Sequence, residues 1–178
     1  AKDFGIGNSK FLTYKNVFFN EFVDPNGVES VIVYTGESQT EVQKGDIFFT
    51  ISSETPEAAG MSSVLLQDIP NCYVNSFCCI YRMFFPNDFV LEFLGYYLRS
   101  ALPRAYFRTK AQGATRYNLS RTVFESLPIF IPKIEEQHKI ADCLASLDEL
   151  IRVQGERLEA LRAHKRGLMQ QLFPQGLD

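Results

Sequence analysis

The nine residues from Lys110 to Asn118 hold most of the chemistry this sequence offers. Lys110 and Arg116 are cations suited to phosphate, and the amides of Gln112 and Asn118 can bond adenine in a bidentate way. The Thr115 methyl suits a thymine methyl, Tyr117 adds a polar aromatic edge, and Gly113 would let the backbone approach a ligand closely. The set fits contact with a nucleic acid. A solvated basic loop beside acidic neighbours would have the same composition, so residue types alone leave both readings open.

Other chemistries lack their parts. The two histidines, His138 and His164, are far apart in the C-terminal segment, which leaves neither a metal site nor a Cys-His pair. Cys72, the neighbours Cys78 and Cys79, and Cys143 show no CxxC spacing, and a disulfide between sequence neighbours in a strand would be strained, so buried thiols are expected. Gly5-Ile6-Gly7 is too short for a dinucleotide fingerprint, and no phosphate-binding GxxxxGK[ST] occurs. A metal-dependent nuclease would need clustered carboxylates, and the acids here are scattered. No catalytic residue and no metal ligand is expected.

The charge distribution adds to the case for the loop. A net charge of -3 over 178 residues speaks against a nucleic-acid partner, but it is unevenly spread. Residues 1 to 92 are net -7 and residues 125 to 178 net -2, whereas residues 93 to 124 hold Arg99, Arg104, Arg108, Lys110, Arg116 and Arg121 without one Asp or Glu.

These residues need a scaffold. From Phe11 to Val90 short β-type runs alternate with turn residues: Val17-Phe18-Phe19, the turn Asp24-Pro25-Asn26-Gly27, Val31 to Tyr34, then Lys44-Gly45-Asp46 before Ile47 to Ile51. Asn71 to Phe85 continues as at least one central strand, and Phe89, Phe93, Tyr96, Tyr97 and Leu98 recur at helical spacing between Asp88 and Leu102. Arg104 to Leu119 has loop composition, and Ser52-Ser53-Glu54-Thr55-Pro56 reads as a strand end opening into a capped turn. Pro128 and Pro132 hold Ile129-Phe130-Ile131 extended.

Beyond Pro132 the periodicity changes to heptads. Ile140, Leu147, Gln154, Leu161 and Leu168 take one seam position and Leu144, Ile151, Leu158, Lys165 and Leu172 the other. Glu135 and Glu136 favour the helix start, Arg162, Lys165 and Arg166 lie towards its end, and Pro174 with Gly176 would stop it. One helix from Glu135 to Phe173 would be roughly 58 Å long, against a domain diameter of roughly 35 Å, so its leucine stripe needs a second helix. Gly155 could instead break it into a hairpin, although the seam keeps its phase there.

Several of these segments carry a family resemblance. They are Gly45 to Thr50 running into Ser52 to Thr55, Gly113 to Ser120, Leu127-Pro128-Ile129 to Pro132, Glu136-Gln137, Lys139-Ile140-Ala141, Leu147-Asp148, and Gly167 to Phe173. In them the chain resembles the specificity subunit of bacterial type I restriction-modification systems. The resemblance implies a target-recognition domain followed by a conserved helix, a unit that usually occurs twice in one polypeptide, whereas this chain contains one. It implies that two such helices pair antiparallel as a spacer and that each domain reads one half of a bipartite double-stranded DNA target. Modification subunits alongside would methylate adenine with S-adenosylmethionine, and restriction subunits would use ATP. Neither cofactor is expected in this chain.

The resulting expectation is a non-enzymatic α+β protein: a target-recognition domain at 1–132, with a mainly antiparallel sheet and packed helices, and a long coiled-coil helix at 133–178 as spacer and partner arm. Arg104, Arg108, Lys110 and Arg116 are assigned to phosphates, and Gln112, Thr115, Tyr117 and Asn118 to base edges or grooves. Ser52, Ser53 and Thr55 are further candidates on a different loop. Ile140, Leu144, Leu147, Ile151, Leu158, Leu161, Leu168 and Leu172 would pair with a second copy or with the other half of a longer subunit. The rival is a coiled-coil adaptor whose β-rich domain binds a peptide; it explains the seam but not the acid-free basic window. Ala1-Lys2-Asp3 does not read as a signal peptide and no apolar run approaches a membrane span, so a soluble, cytoplasmic protein is expected.

Overall fold

The computed structural model describes residues 4–83 and 88–173. It forms two compact units, residues 1–138 and 139–178, with the long helix beginning inside the first. The first unit is α+β and, among the described residues, holds three small sheets. β1 (Phe4–Leu12) lies between β2 (Val28–Val31), antiparallel, and β6 (Cys72–Val74), parallel. In the second sheet β3 (Ile47–Thr50) is central, antiparallel to both β5 (Ser62–Val64) and β7 (Cys78–Tyr81). Every residue of β3 is buried, which explains its continuous apolar sequence. The third sheet pairs β4 (Ser52–Ser53) with β8 (Tyr117–Asn118).

Leu12, Val17, Phe48, Leu65 and Cys72 form the centre of the core. Burial raises the Cys72 and Cys79 thiols to about 11 and Cys78 to about 12, so these three are inert under ordinary conditions. Cys79 is only half-buried and Cys143 is exposed, contrary to the expectation of four buried thiols. The Asp24 to Gly27 turn forms as expected, closed by Gly27 N–H donating to the Asp24 carbonyl (3.1 Å) and held by Asn16, which accepts from Asp24 N–H (2.9 Å). Asp46, fully buried, accepts two hydrogen bonds from Arg82 (2.7 and 2.8 Å) and one from Gln43 N–H (2.8 Å).

Four expectations for the elements are corrected. Val17-Phe18-Phe19 belongs to a helix, α1 (Tyr14–Phe19), whose N-cap Thr13 accepts from Asn16 N–H at 3.1 Å. The cap and the burial of Val17 override the β propensity of the run. The second strand comes earlier than Val31 to Tyr34, at Val28–Val31. The stretch after Arg104 is not all loop. α2 (Leu91–Leu98) is followed by α3 (Ala101–Lys110), which tolerates Pro103 in its first turn, where the missing N–H costs no helical bond. α4 (Arg121–Glu125) follows, and no helix or strand spans 127–133. Asn71 to Phe85 supplies not a central strand but β6 and β7, each at the edge of its three-stranded sheet, and Phe84 and Phe85 lie outside the described residues.

α5 (Ile134–Leu172) is one unbroken helix of 39 residues, so Gly155 makes no hairpin. Its first turns are fixed within the first unit by Gln137. The Gln137 side chain accepts from Val90 N–H (2.9 Å) and donates to the carbonyls of Pro132 (3.0 Å) and Asp88 (3.2 Å). In the second unit Leu147, Ile151, Leu158, Leu161, Leu168 and Leu172 are exposed, whereas Ile140 and Leu144 are half-buried. Arg152 pairs with Glu149 and Glu156, and Arg162 with Glu159. At about 100° per residue Glu149, Arg152 and Glu156 lie on the helix face away from the leucines, whereas Arg162 flanks Leu158 at the edge of the stripe. Pro174 and Gly176, the expected stop, lie outside the described residues. Among the described residues no helix is long and apolar enough to cross a membrane.

Candidate nucleic-acid interface

The two polar segments that the sequence keeps apart form one structure. Gln112 and Asn118 exchange backbone hydrogen bonds (3.1 and 2.8 Å) and close a hairpin whose tip is Gly113 to Tyr117. Its second strand, β8, pairs with β4, placing Ser52 opposite Asn118 and Ser53 opposite Tyr117. Leu119 N–H donating to the Ile51 carbonyl (3.0 Å) anchors the hairpin to the end of the buried central strand. Ser52 to Thr55 and Gln112 to Asn118 are therefore a single surface patch on a rigid base.

Gly113 has φ +152°, and a Cβ there would stand 1.7 Å from the Arg116 carbonyl oxygen. The hairpin tip itself therefore requires a glycine, a structural reason beyond the close ligand approach expected from sequence. Arg116, Thr115, Gln112 and Asn118 are exposed and Tyr117 is half-buried. The patch borders a cleft of about 360 Å³, lined by Tyr14, Phe18, Ser52 to Thr55, Ala58, Phe77 and Arg116. Tyr14 donates its hydroxyl to the Ser52 carbonyl (3.1 Å). Burial pushes this phenol above its ordinary 10.0; Arg116 opposes the shift and Glu54 adds to it. Phe77, half exposed, is held by Asn75 Oδ1 accepting from its N–H (2.8 Å) and by its carbonyl accepting from Ile51 N–H (3.0 Å). The Arg116 guanidinium lies 5.9 Å from the centre of its ring.

The six cations of the basic window divide into two groups. Arg99 is largely buried and donates to the carbonyls of Ser62, Val17, Phe18 and Asn20, tying α2 to α1 and β5. Arg104, assigned above to a phosphate, donates to the carbonyls of Gly60 (2.7 Å) and Glu57, so its guanidinium holds the Pro56–Ala58 turn against α3. Arg121 pairs with Glu125. Arg108, Lys110 and Arg116 are exposed and, among the described residues, form no ion pair; Lys110 lies 5.9 Å from the Tyr106 ring centre. Ser53 also leaves the contact set: it is buried and its hydroxyl donates to the Thr55 carbonyl at 2.6 Å. Ser52 is half-buried and Thr55 exposed.

Sequence reasoning missed the aromatic walls of the cleft, Tyr14, Phe18 and Phe77. Tyr14 and Phe18 are one helical turn apart on α1, a relation hidden while the segment was read as a strand. Among the described residues no group of His, Cys, Asp and Glu could hold a metal ion.

The family model for the type I restriction modification DNA specificity domain matches residues 7–163, nearly the whole first unit and much of α5. The chain belongs to this family. It is 31% identical over 76 residues to the type I restriction enzyme MjaVIII specificity subunit of Methanocaldococcus jannaschii, a match covering 43% of this chain and 18% of that protein. It is 33% identical over 95 residues to the putative type I restriction enzyme MjaX specificity subunit of the same organism, covering 52% and 22%. Among solved structures, the HsdS subunit of Thermoanaerobacter tengcongensis superposes with a TM-score of 0.63 at 17% identity over 94% of this chain and 44% of that one. The S subunit from M. genitalium gives 0.55 at 17%, over 97% and 44%. The chain thus spans about a fifth of these relatives' length and under half of the solved chains. The architecture of a specificity domain followed by a long helix is the one expected from the resemblance.

Proposed function

We propose that this chain is one target-recognition unit of a type I specificity subunit, that it reads one half of a bipartite double-stranded DNA target, and that it contributes no catalytic group. The observation that carries the reading is the joining of the 112–118 hairpin to Ser52–Thr55 in one exposed patch bearing Arg116, with Arg108 and Lys110 unpaired nearby in sequence on α3. Exposed amides and a hydroxyl on a rigid hairpin suit base edges, and unpaired cations suit phosphates. Arg108, Lys110 and Arg116 remain as the phosphate set, and Gln112, Thr115, Tyr117 and Asn118, with Ser52 and Thr55, as the groove set.

α5 then serves as a spacer. Its exposed leucine stripe would be covered by the corresponding helix of a second copy or of the other half of a longer subunit, and the modification subunit would dock alongside. S-adenosylmethionine and ATP chemistry would belong to modification and restriction subunits. The adaptor reading accounts for α5 equally well, but it gives no role to a hairpin that presents Arg116 in an otherwise acidic chain.

The test is the salt dependence of DNA binding by the assembled subunit. The Arg108→Ala/Lys110→Ala/Arg116→Ala variant should weaken binding to all sequences and flatten the log-log salt slope by about one unit per lost phosphate contact. Unchanged affinity and slope would remove the electrostatic assignment.

A further inference from the structure

Glu54 is out of place on a surface that meets phosphates. It follows β4 directly, is exposed, and lines the same cleft as Arg116. Both charges act on the Tyr14 hydroxyl, in opposite directions. Neither is neutralised by the other or by a third group: among the described residues no ion pair within 4.0 Å includes Glu54 or Arg116. A carboxylate there repels the DNA backbone, so it weakens binding to every sequence unless it finds a donor on a base.

The supports of both groups are rigid. The β4 backbone is fixed by the Tyr14 hydroxyl and by pairing to β8, and Arg116 sits above Phe77, whose main chain is bonded on both sides. The cleft therefore presents an acceptor-only group and a donor-only fork, each carried on a fixed stretch of backbone. In the major groove a G·C pair offers two adjacent acceptors, guanine O6 and N7, and one donor, the cytosine N4 amino group. An arginine fork satisfies the first two and a carboxylate accepts from the third. An A·T pair would set the adenine N6 amino group against one arm of the fork, donor against donor.

We propose that Glu54 and Arg116 together read one G·C pair, with Glu54 accepting from the cytosine amino group and Arg116 donating to guanine. This rests on the DNA-reading function proposed above and moves Arg116 from phosphate to base. Glu54 then lowers general affinity and in return rejects any half-site without cytosine at that position.

The experiment is selection from a duplex library randomised over the half-site, using the full subunit assembled with its modification subunits, for the wild type, Glu54→Gln and Arg116→Lys. Thermal melting of each assembly checks that the exposed substitutions leave the fold intact. The wild type should fix a G·C pair at one position. Glu54→Gln should relax that position alone, by on the order of tenfold or more, and leave the others unchanged. Arg116→Lys should relax the same position, because an ammonium lacks the fork. If Glu54→Gln keeps the same preference, or strengthens binding to all sequences alike, the carboxylate is only a charge and the inference is overturned. If wild type selects no sequence at all, the DNA-reading function itself fails and takes the inference with it.

Discussion

Arg104 and Arg108 are one helical turn apart on α3, yet their positions differ in kind. Arg104 donates to two main-chain carbonyls, so truncating it strands the Gly60 and Glu57 acceptors and loosens α3 from the turn beneath the cleft. The Arg108 side chain is exposed and, among the described residues, makes no hydrogen bond or ion pair. Arg104→Ala should cost about 1–3 kcal/mol in urea denaturation. Arg108→Ala should leave the denaturation midpoint within experimental error and reduce only DNA affinity. Equal midpoints for the two variants would mean that the Arg104 contacts carry no weight. The same division explains why the acid-free window overstated the cationic surface. Composition counts six charges, but three of them are committed to carbonyls or a carboxylate.

At the scale of elements, legibility in the sequence followed how local the determining contact is. β3, the Asp24–Gly27 turn and α5 were readable because apolar runs, turn chemistry and heptads act over a few residues. α1 and α3 were not. The first depends on Thr13 as cap and on Val17 being buried by distant strands, the second on Phe107 packing under Gly60, where a Cβ would stand 2.7 Å from the ring. The site was half legible for the same reason. The residue types of the hairpin are visible locally, but its pairing with β4 joins segments some 65 positions apart. α5 carries its own prediction. A chain carrying a 39-residue helix with six exposed apolar seam residues should sediment as a dimer at tens of micromolar, and Leu158→Asp/Leu161→Asp should shift it to monomer while leaving the first unit folded. A wild-type monomer whose sedimentation these substitutions do not change would show that the stripe serves another surface.

For the whole molecule, the proposed DNA binding by an acidic protein requires that charge be organised locally. Within the acid-free window the exposed cations without an ion pair among the described residues are Arg108 and Lys110 on α3 and Arg116 at the hairpin tip, and on α5 Arg152 and Arg162 are paired with neighbouring glutamates. The two units differ in what they expose: the first, at 1–138, holds the patch and the cleft, and the second carries an apolar stripe. Sequence reading by the hairpin and spacing by the helix should then be independently mutable.

The most direct test is methylome sequencing of a host expressing the full subunit with its modification partner, wild type against Gln112→Ala/Thr115→Ala. These side chains are exposed on the hairpin and make no side-chain hydrogen bond among those described, so the fold should survive their removal. The expected result is a bipartite methylated motif in which one half loses definition at one or two positions, while the other half and the gap between them are unchanged. An identical motif for both proteins would contradict the claim that this hairpin reads the DNA.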